Sequence, residues 1–174
     1  MSFSMNCFRH TVLILLFSFS SFVICQTPVS CDDVYLEGEL LYKLSDRTLY
    51  TGKYERKRWN GHLVYEEHFK NGIIVSAVEY FNGKQKRVAD SIVYNPEKPF
   101  IRLEEYRYNS NSQLIRKRIY SDDGKLKLKE EYNDGMLVYS CEYNSRKKHG
   151  KEFCYSKDGK PLEVEYVNGK KIRN

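Results

Sequence analysis

His149-Gly150-Lys-Glu-Phe-Cys-Tyr-Ser-Lys-Asp158-Gly159-Lys-Pro-Leu-Glu-Val-Glu-Tyr-Val-Asn168-Gly169-Lys170 is the stretch whose reading decides the fold. Two runs of strand-forming residues are each closed by Asp-Gly or Asn-Gly, the dipeptides that most readily supply the positive φ angles of a tight hairpin turn. The unit is a strand, a turn, a strand and a turn. Upstream, Thr51-Gly52-Lys-Tyr-Glu-Arg-Lys-Arg-Trp-Asn60-Gly61-His-Leu-Val-Tyr-Glu-Glu-His-Phe-Lys-Asn71-Gly72 repeats it.

Working outward, turn signals stand at Thr51-Gly52, Asn60-Gly61, Asn71-Gly72, Asn82-Gly83, Asn95-Pro96, Asn109 to Ser112, Asp123-Gly124, Asp134-Gly135, His149-Gly150, Asp158-Gly159 and Asn168-Gly169. The repeat-turn glycines are thus Gly52, Gly61, Gly72, Gly83, Gly124, Gly135, Gly150, Gly159 and Gly169. Segments between them are too short for a crossover helix, so neighbouring strands are antiparallel and follow one another in a meander. The expected fold class is all-β, an open, elongated antiparallel meander of β-hairpin repeats over residues 35–174, essentially without helix. Pro96 and Pro99 forbid a regular central strand at their positions, which predicts a longer irregular connection or an edge bulge between Val88 and Tyr108.

Alternation within strands sets Leu63, Tyr65 and Phe69 against Val64, Glu66 and His68. It sets Leu162, Val164 and Tyr166 against Glu163 and Glu165, and Leu126, Leu128 and Tyr132 against Lys127, Lys129 and Glu131. One aromatic, apolar face and one charged face are expected. With 15 Tyr and 9 Phe, large rings can supply the burial that a second layer would otherwise give.

Near the N-terminus, Arg9 and His10 precede the apolar run Thr11 to Ile24, which is shorter than the roughly 20 residues of a spanning helix. This is the pattern of a signal peptide over residues 1–25, with a mature start near Gln26 and a disordered lead-in over 26–34. The expected location is outside the cytoplasm, periplasmic or secreted. The alternative is an outer-membrane lipoprotein anchored through Cys25. Removing residues 1–25 takes away Arg9 and no acidic residue, so the formal charge falls from +6 to +5 over the remaining 149 residues. Basic and acidic residues are interleaved, which describes a solvated sheet surface better than a nucleic-acid groove, and no nucleic-acid partner is expected.

Arg146-Lys-Lys-His149-Gly150-Lys-Glu-Phe-Cys-Tyr155-Ser-Lys-Asp-Gly159 resembles the MORN repeat, and Tyr50-Thr-Gly52-Lys-Tyr54 is similar to its opening. The spacing to the second turn and the recurrent Tyr-x-Asn-Gly-Lys ending resemble the variant MORN repeats of bacterial proteins of the YwqK antitoxin family. The resemblance covers roughly residues 35–172. Lys57 and Glu152 stand where the eukaryotic unit carries glycine. The resemblance implies an open twisted sheet with a non-enzymatic, protein-binding role, antitoxin- or immunity-like.

No catalytic or metal-binding set emerges, and no cofactor is implied. Glu66-Glu67, Glu104-Glu105 and Glu130-Glu131 are adjacent on strands and so point to opposite faces, where they cannot flank one bond. His62 and His68 are too far apart along one strand to share a metal ion, and His149 is placed in a turn. A partner-binding candidate is Arg56, Arg58 and Trp59, where the single tryptophan abuts basic residues beside a turn. If exposed, Trp59 can anchor a protein partner while the arginines read acidic groups. The expectation from the aromatic face is instead that Trp59 packs on the sheet. The rival to a protein partner is an anionic surface, lipid headgroups or an envelope polysaccharide. Cys141 and Cys154 are equidistant from Lys147-Lys148. Parity nevertheless predicts a register slipped by one residue, which brings Tyr139 and Tyr143 to Phe153 and Tyr155, leaves both cysteines unbridged and packs them as small apolar residues.

Overall fold

A computed structural model describes residues 33–172; residues 1–25, and the lead-in before Asp33, lie outside them. Thirteen strands follow one another: β1 (Val34–Glu37), β2 (Leu40–Lys43), β3 (Gly52–Lys57), β4 (Leu63–Lys70), β5 (Ile73–Tyr80), β6 (Val88–Tyr94), β7 (Arg102–Tyr108), β8 (Leu114–Tyr120), β9 (Leu126–Asn133), β10 (Met136–Asn144), β11 (Lys147–Tyr155), β12 (Pro161–Val167) and β13 (Lys170–Ile172). Strands β3 to β13 form one 11-stranded sheet in strict chain order, β1 and β2 a separate two-stranded hairpin. The fold is all-β, an open antiparallel meander, and the described residues contain no helix.

Turn chemistry explains the strand ends. At Asn71-Gly72, Asp134-Gly135 and Asn168-Gly169 both residues have positive φ, as a two-residue hairpin turn of the twisted type demands. A second type closes β3–β4, β7–β8, β8–β9 and β11–β12. Its first residue donates to the carbonyl four residues on, and its fourth donates back to the first, as in Ser121 N to Lys125 O and Gly124 N to Ser121 O, both 2.8 Å. This is a type I turn capped by a left-handed residue, Gly61, Ser112, Gly124 or Gly159. The prolines act as expected: β6 and β7 are continuous strands, paired with a register shift at Val93/Tyr94, and the irregular connection between them is residues 95–101. There the Asn95 carboxamide accepts from Glu97 N at 2.8 Å and Lys98 N at 3.1 Å.

Two expected turn glycines lie within strands. Gly52 opens β3 opposite Phe69. His149 and Gly150 lie in β11, and the β10–β11 turn is Ser145-Arg146, with Ser145 at φ 62°. Register shifts between Cys141 and Tyr143, where His149, Gly150 and Lys151 face Glu142 alone. Gly150, at φ 90°, is the left-handed residue of this bulge, and the Glu142 carboxylate fills the space a side chain would take. Every strand pair from β3–β4 to β10–β11 carries such a shift.

The same bulge corrects the cysteine register. Cys141 lies opposite Glu152, and Cys154 opposite Tyr139, so the slip is two residues and keeps both sulfurs on one face. Both thiols are free, Cys141 buried and Cys154 half-buried. Tyr139 meets lysines in place of Phe153: Lys129 lies 5.3 Å and Lys148 5.9 Å from its ring centroid. Phe153 turns to the opposite face, across from Ser140 and edge-on to Tyr155 at 5.3 Å.

Nor is one face apolar and the other charged. Strand to strand, one row runs Tyr54, Glu67, Ala77, Ile92, Glu105, Arg118, Lys129, Cys141, Glu152, Val164. Leu128 sits on the opposite face, in register with Ile119 and Glu104. A single layer wetted on both sides has no buried face to enforce one apolar set.

Among the described residues a second layer exists only at the N-terminal end. The β1–β2 hairpin, closed at Gly38-Glu39 and absent from the expected turns, folds over β4 to β6 and builds the core of Leu41, Tyr50, Phe69, Ile74, Ala77 and Tyr94. Backbone bonds lock it: Leu41 N to Gly72 O at 2.9 Å, Tyr50 N to Leu41 O at 2.8 Å, Gly72 N to Tyr50 O at 2.7 Å.

Candidate interaction surface

Strand β3 ends at Lys57, so Trp59 belongs to neither face of the sheet but to the tip of the β3–β4 turn. Arg58 N donates to His62 O at 2.9 Å, Gly61 N to Arg58 O at 2.8 Å, and His62 N to the Asn60 side chain at 3.1 Å. This closed loop leaves Trp59 98% exposed, which corrects the expectation that it packs on the sheet. A ring of that size carries roughly 150–250 Å² of mostly apolar surface, all of it open to a partner.

The β5–β6 connection, residues 81–87, lies beside this turn. His62 Nε2 is 3.0 Å from Phe81 O, and since a carbonyl only accepts, that nitrogen carries the hydrogen. Between the two connections is a cleft of about 600 Å³ whose lining includes Arg58, His62, Lys84 and Lys86, with Asn60 and Asn82, and no carboxylate among its described residues. Lys86 is partly engaged, 4.6 Å from the Tyr80 ring centroid and 3.2 Å from a Glu66 oxygen. Its pKa is raised, first by the Tyr80 hydroxyl and then, against burial, by Glu66, so it stays charged. The cleft is concave, wet and electropositive.

The candidate residues separate. Arg58 and Trp59 share this turn, whereas Arg56 points to the face of Tyr65, its guanidinium 5.4 Å from that ring centroid. Lys84 and Lys86 join from another turn. Their signal was a basic cluster directly after Asn82-Gly83, as Arg58 stands two residues before Asn60-Gly61.

Glu66 ties the cleft to the sheet. Buried, it accepts from His68 Nε2 at 2.9 Å and Lys86 Nζ at 3.2 Å, and Lys53 Nζ lies 3.4 Å away. Burial alone would raise its pKa, but these donors outweigh it and hold the carboxyl at about 2. The same construction recurs at buried Glu105, which takes the Tyr120 hydroxyl at 2.9 Å and Arg118 at 3.4 Å. It recurs at Glu152, held by Lys148, where burial raises the pKa and Lys148 and Tyr166 bring it below the ordinary value. Held by cations and hydroxyl donors, these carboxylates tie neighbouring strands together: Glu66 to Lys53 on β3, and Glu105 to Arg118 and Tyr120 on β8. Glu66 and Glu67 fall in different cross-strand rows, opposite Glu55 and Tyr54 respectively. His149 Nδ1 accepts from Asn168 N at 3.4 Å. Among the described residues no group of three His, Cys, Asp or Glu side chains could hold a metal ion, and no helix is long and apolar enough to cross a membrane.

No family model and no curated protein matches this chain.

Proposed function

We propose that the protein is an exported, non-catalytic repeat scaffold that docks an acidic segment of a protein partner at the Trp59 end of its sheet, in the manner of an antitoxin or immunity protein. The observation that carries this reading is Trp59, 98% exposed on a rigid turn beside a cleft walled by Arg58, Lys84, Lys86 and His62. Exposed Trp and Arg on an ordered element are the residue types that dominate interface energetics, Trp because it buries a large rigid area and Arg because its planar fork pairs with carboxylates in a fixed geometry. The cations give acidic groups their register and steer encounter. The open single-layered meander supports the resemblance to MORN variants.

The test is co-purification of wild type and of Trp59→Ala from the source cells, followed by affinity measurement on any specific partner recovered. Loss of the ring is expected to weaken the complex by about 30-fold or more, the cost of roughly 2 kcal/mol typical of a central anchor. Lys84→Glu is expected to slow association and to remove most of its salt dependence. Undiminished partner affinity in Trp59→Ala overturns the reading. So does co-sedimentation with anionic vesicles that vanishes near 0.5 M salt while no protein co-purifies, since that is a surface binder.

A further inference from the structure

A second cavity, of about 330 Å³, lies between the β1–β2 hairpin and the sheet, away from the Trp59 turn. Aromatic residues Tyr54, Phe69 and Phe100 line it, with Leu36 and Leu41 beside them and Glu67 as its only charged lining residue among those described; Tyr35 borders it too, but its ring stacks on Tyr42 at 5.5 Å on the other face of the hairpin. Such walls are common in gaps beneath a hairpin. The carboxylate is not, because an apolar gap gains nothing from a charge it must desolvate.

Three observations set Glu67 apart from the clamped Glu66, Glu105 and Glu152. Among the described residues it forms no ion pair, and the Tyr65 hydroxyl donates to it at 3.1 Å. Arg56, the cation on the same face, lies over the Tyr65 ring. Burial pushes the Glu67 carboxyl above its ordinary value, against the opposing pull of Tyr65 and Arg56. Glu67 faces inward by register, opposite Tyr54 on β3 and Ala77 on β5, so it is not a surface side chain that has folded in.

Phe100 adds an independent sign. Its backbone sits at φ 60°, a region bulky residues rarely adopt, and its ring is 48% exposed while lining the cavity. The irregular 95–101 connection thus holds a strained residue where its ring can close over whatever enters; strain of this kind collects at ligand sites.

Aromatic faces carry negative charge density, and several of them around one carboxylate are matched by a cation that is itself apolar at its surface. A lysine-like primary ammonium is strongly hydrated and a planar guanidinium offers no spherical apolar surface, whereas an alkylated ammonium is both weakly hydrated and apolar at its surface. We propose that this cavity binds an organic ammonium ion, its methylated head seated among Tyr54, Phe69 and Phe100 and its charge met by Glu67. The volume is at the small end for ligand pockets, which selects a single headgroup over a large molecule.

The full-length chain is titrated with choline at constant ionic strength, by calorimetry and by proton spectra of the ligand. The same is done with the uncharged isostere in which a tert-butyl group replaces the trimethylammonium head. Saturable binding of one choline per chain, at least about tenfold tighter than the isostere, is expected from cation–aromatic and charge attraction in a partly buried site. Glu67→Gln, with circular dichroism unchanged, is expected to lose that preference, and Trp59→Ala to keep it. Absence of saturable choline binding, or equal binding of the isostere, overturns the proposal. Because that comparison is made on the wild type, it decides the question even if Glu67→Gln does not fold.

Discussion

Replacing Leu41 by Ala tests how the molecule is held together. Leu41 is 8% exposed and joins the hairpin to Phe69, Ile74 and Ala77. The substitution deletes three buried carbons, about 2.5 kcal/mol at roughly 0.8 kcal/mol per CH₂. The cavity of about 330 Å³ beside it is already open, so little new enclosed void is made. The loss therefore belongs near the low end of the roughly 2–5 kcal/mol range for Leu→Ala. Its distribution matters more than its size. Apart from β2 against β5, the strands with substantial contact are sequence neighbours, so stability is quasi-one-dimensional and a local loss stays local. Hydrogen exchange read by mass spectrometry is expected to show protection falling roughly 60-fold in β1 to β5, the factor that corresponds to about 2.5 kcal/mol, with β9 to β12 unchanged. A uniform fall across all strands would refute the one-dimensional account, and no fall in β4 and β5 would refute the assignment of Leu41 to their core.

Glu66→Gln is expected to lower stability by about 2–3 kcal/mol near neutral pH. The folded pKa of about 2 lies below the ordinary 4.5, so the ionised form stabilises fully above about 4.5 and progressively less as pH falls towards 2. Urea midpoints of wild type and variant should therefore converge over that window, and a gap independent of pH would contradict the clamp. Trp59 is the single tryptophan, so native emission should sit at the solvent-exposed red limit and change little on unfolding. In the native protein a thiol reagent is expected to label Cys154 well before Cys141, which is 1% exposed, and both on unfolding; rapid labelling of Cys141 would contradict its burial. Gly150→Ala, which combines positive φ with collision against the Glu142 carboxylate, should cost more in chemical denaturation than Gly135→Ala, where φ is 79° and nothing lies within 4 Å of the new methyl group. The conformational part common to both is about 1–3 kcal/mol.

Legibility in this chain follows the range of the interaction that fixes each feature. Asn71-Gly72 and Asp134-Gly135 set turns by backbone preference within two residues, so strand order and direction could be read directly. Gly150 looked the same but serves a bulge, because the demand for positive φ does not say which local geometry makes it; only the pairing of Glu142 against three residues decides. The face pattern failed for a related reason. Alternation reveals a buried side only where something covers it, and the hairpin covers β4 to β6 alone, from a segment whose only turn signal is Gly38 between two short apolar runs. Beyond β6 both faces are wet, and the burial rule gives way to charge pairing: Glu105 against Arg118, Glu130 against Lys117 at 3.3 Å, Glu131 against Lys129 at 2.8 Å. The Trp59 cleft needs two turns that are adjacent only because the meander places β3–β4 and β5–β6 at the same end of the sheet. Arg58 and Trp59 were visible as one cluster with Arg56, whereas Lys84 and Lys86 join them through strand parity and not through spacing. In an antiparallel meander alternate turns share an end, so basic residues flanking every second Asn-Gly or Asp-Gly pair converge on one surface, whereas those flanking consecutive pairs are held a strand's length apart.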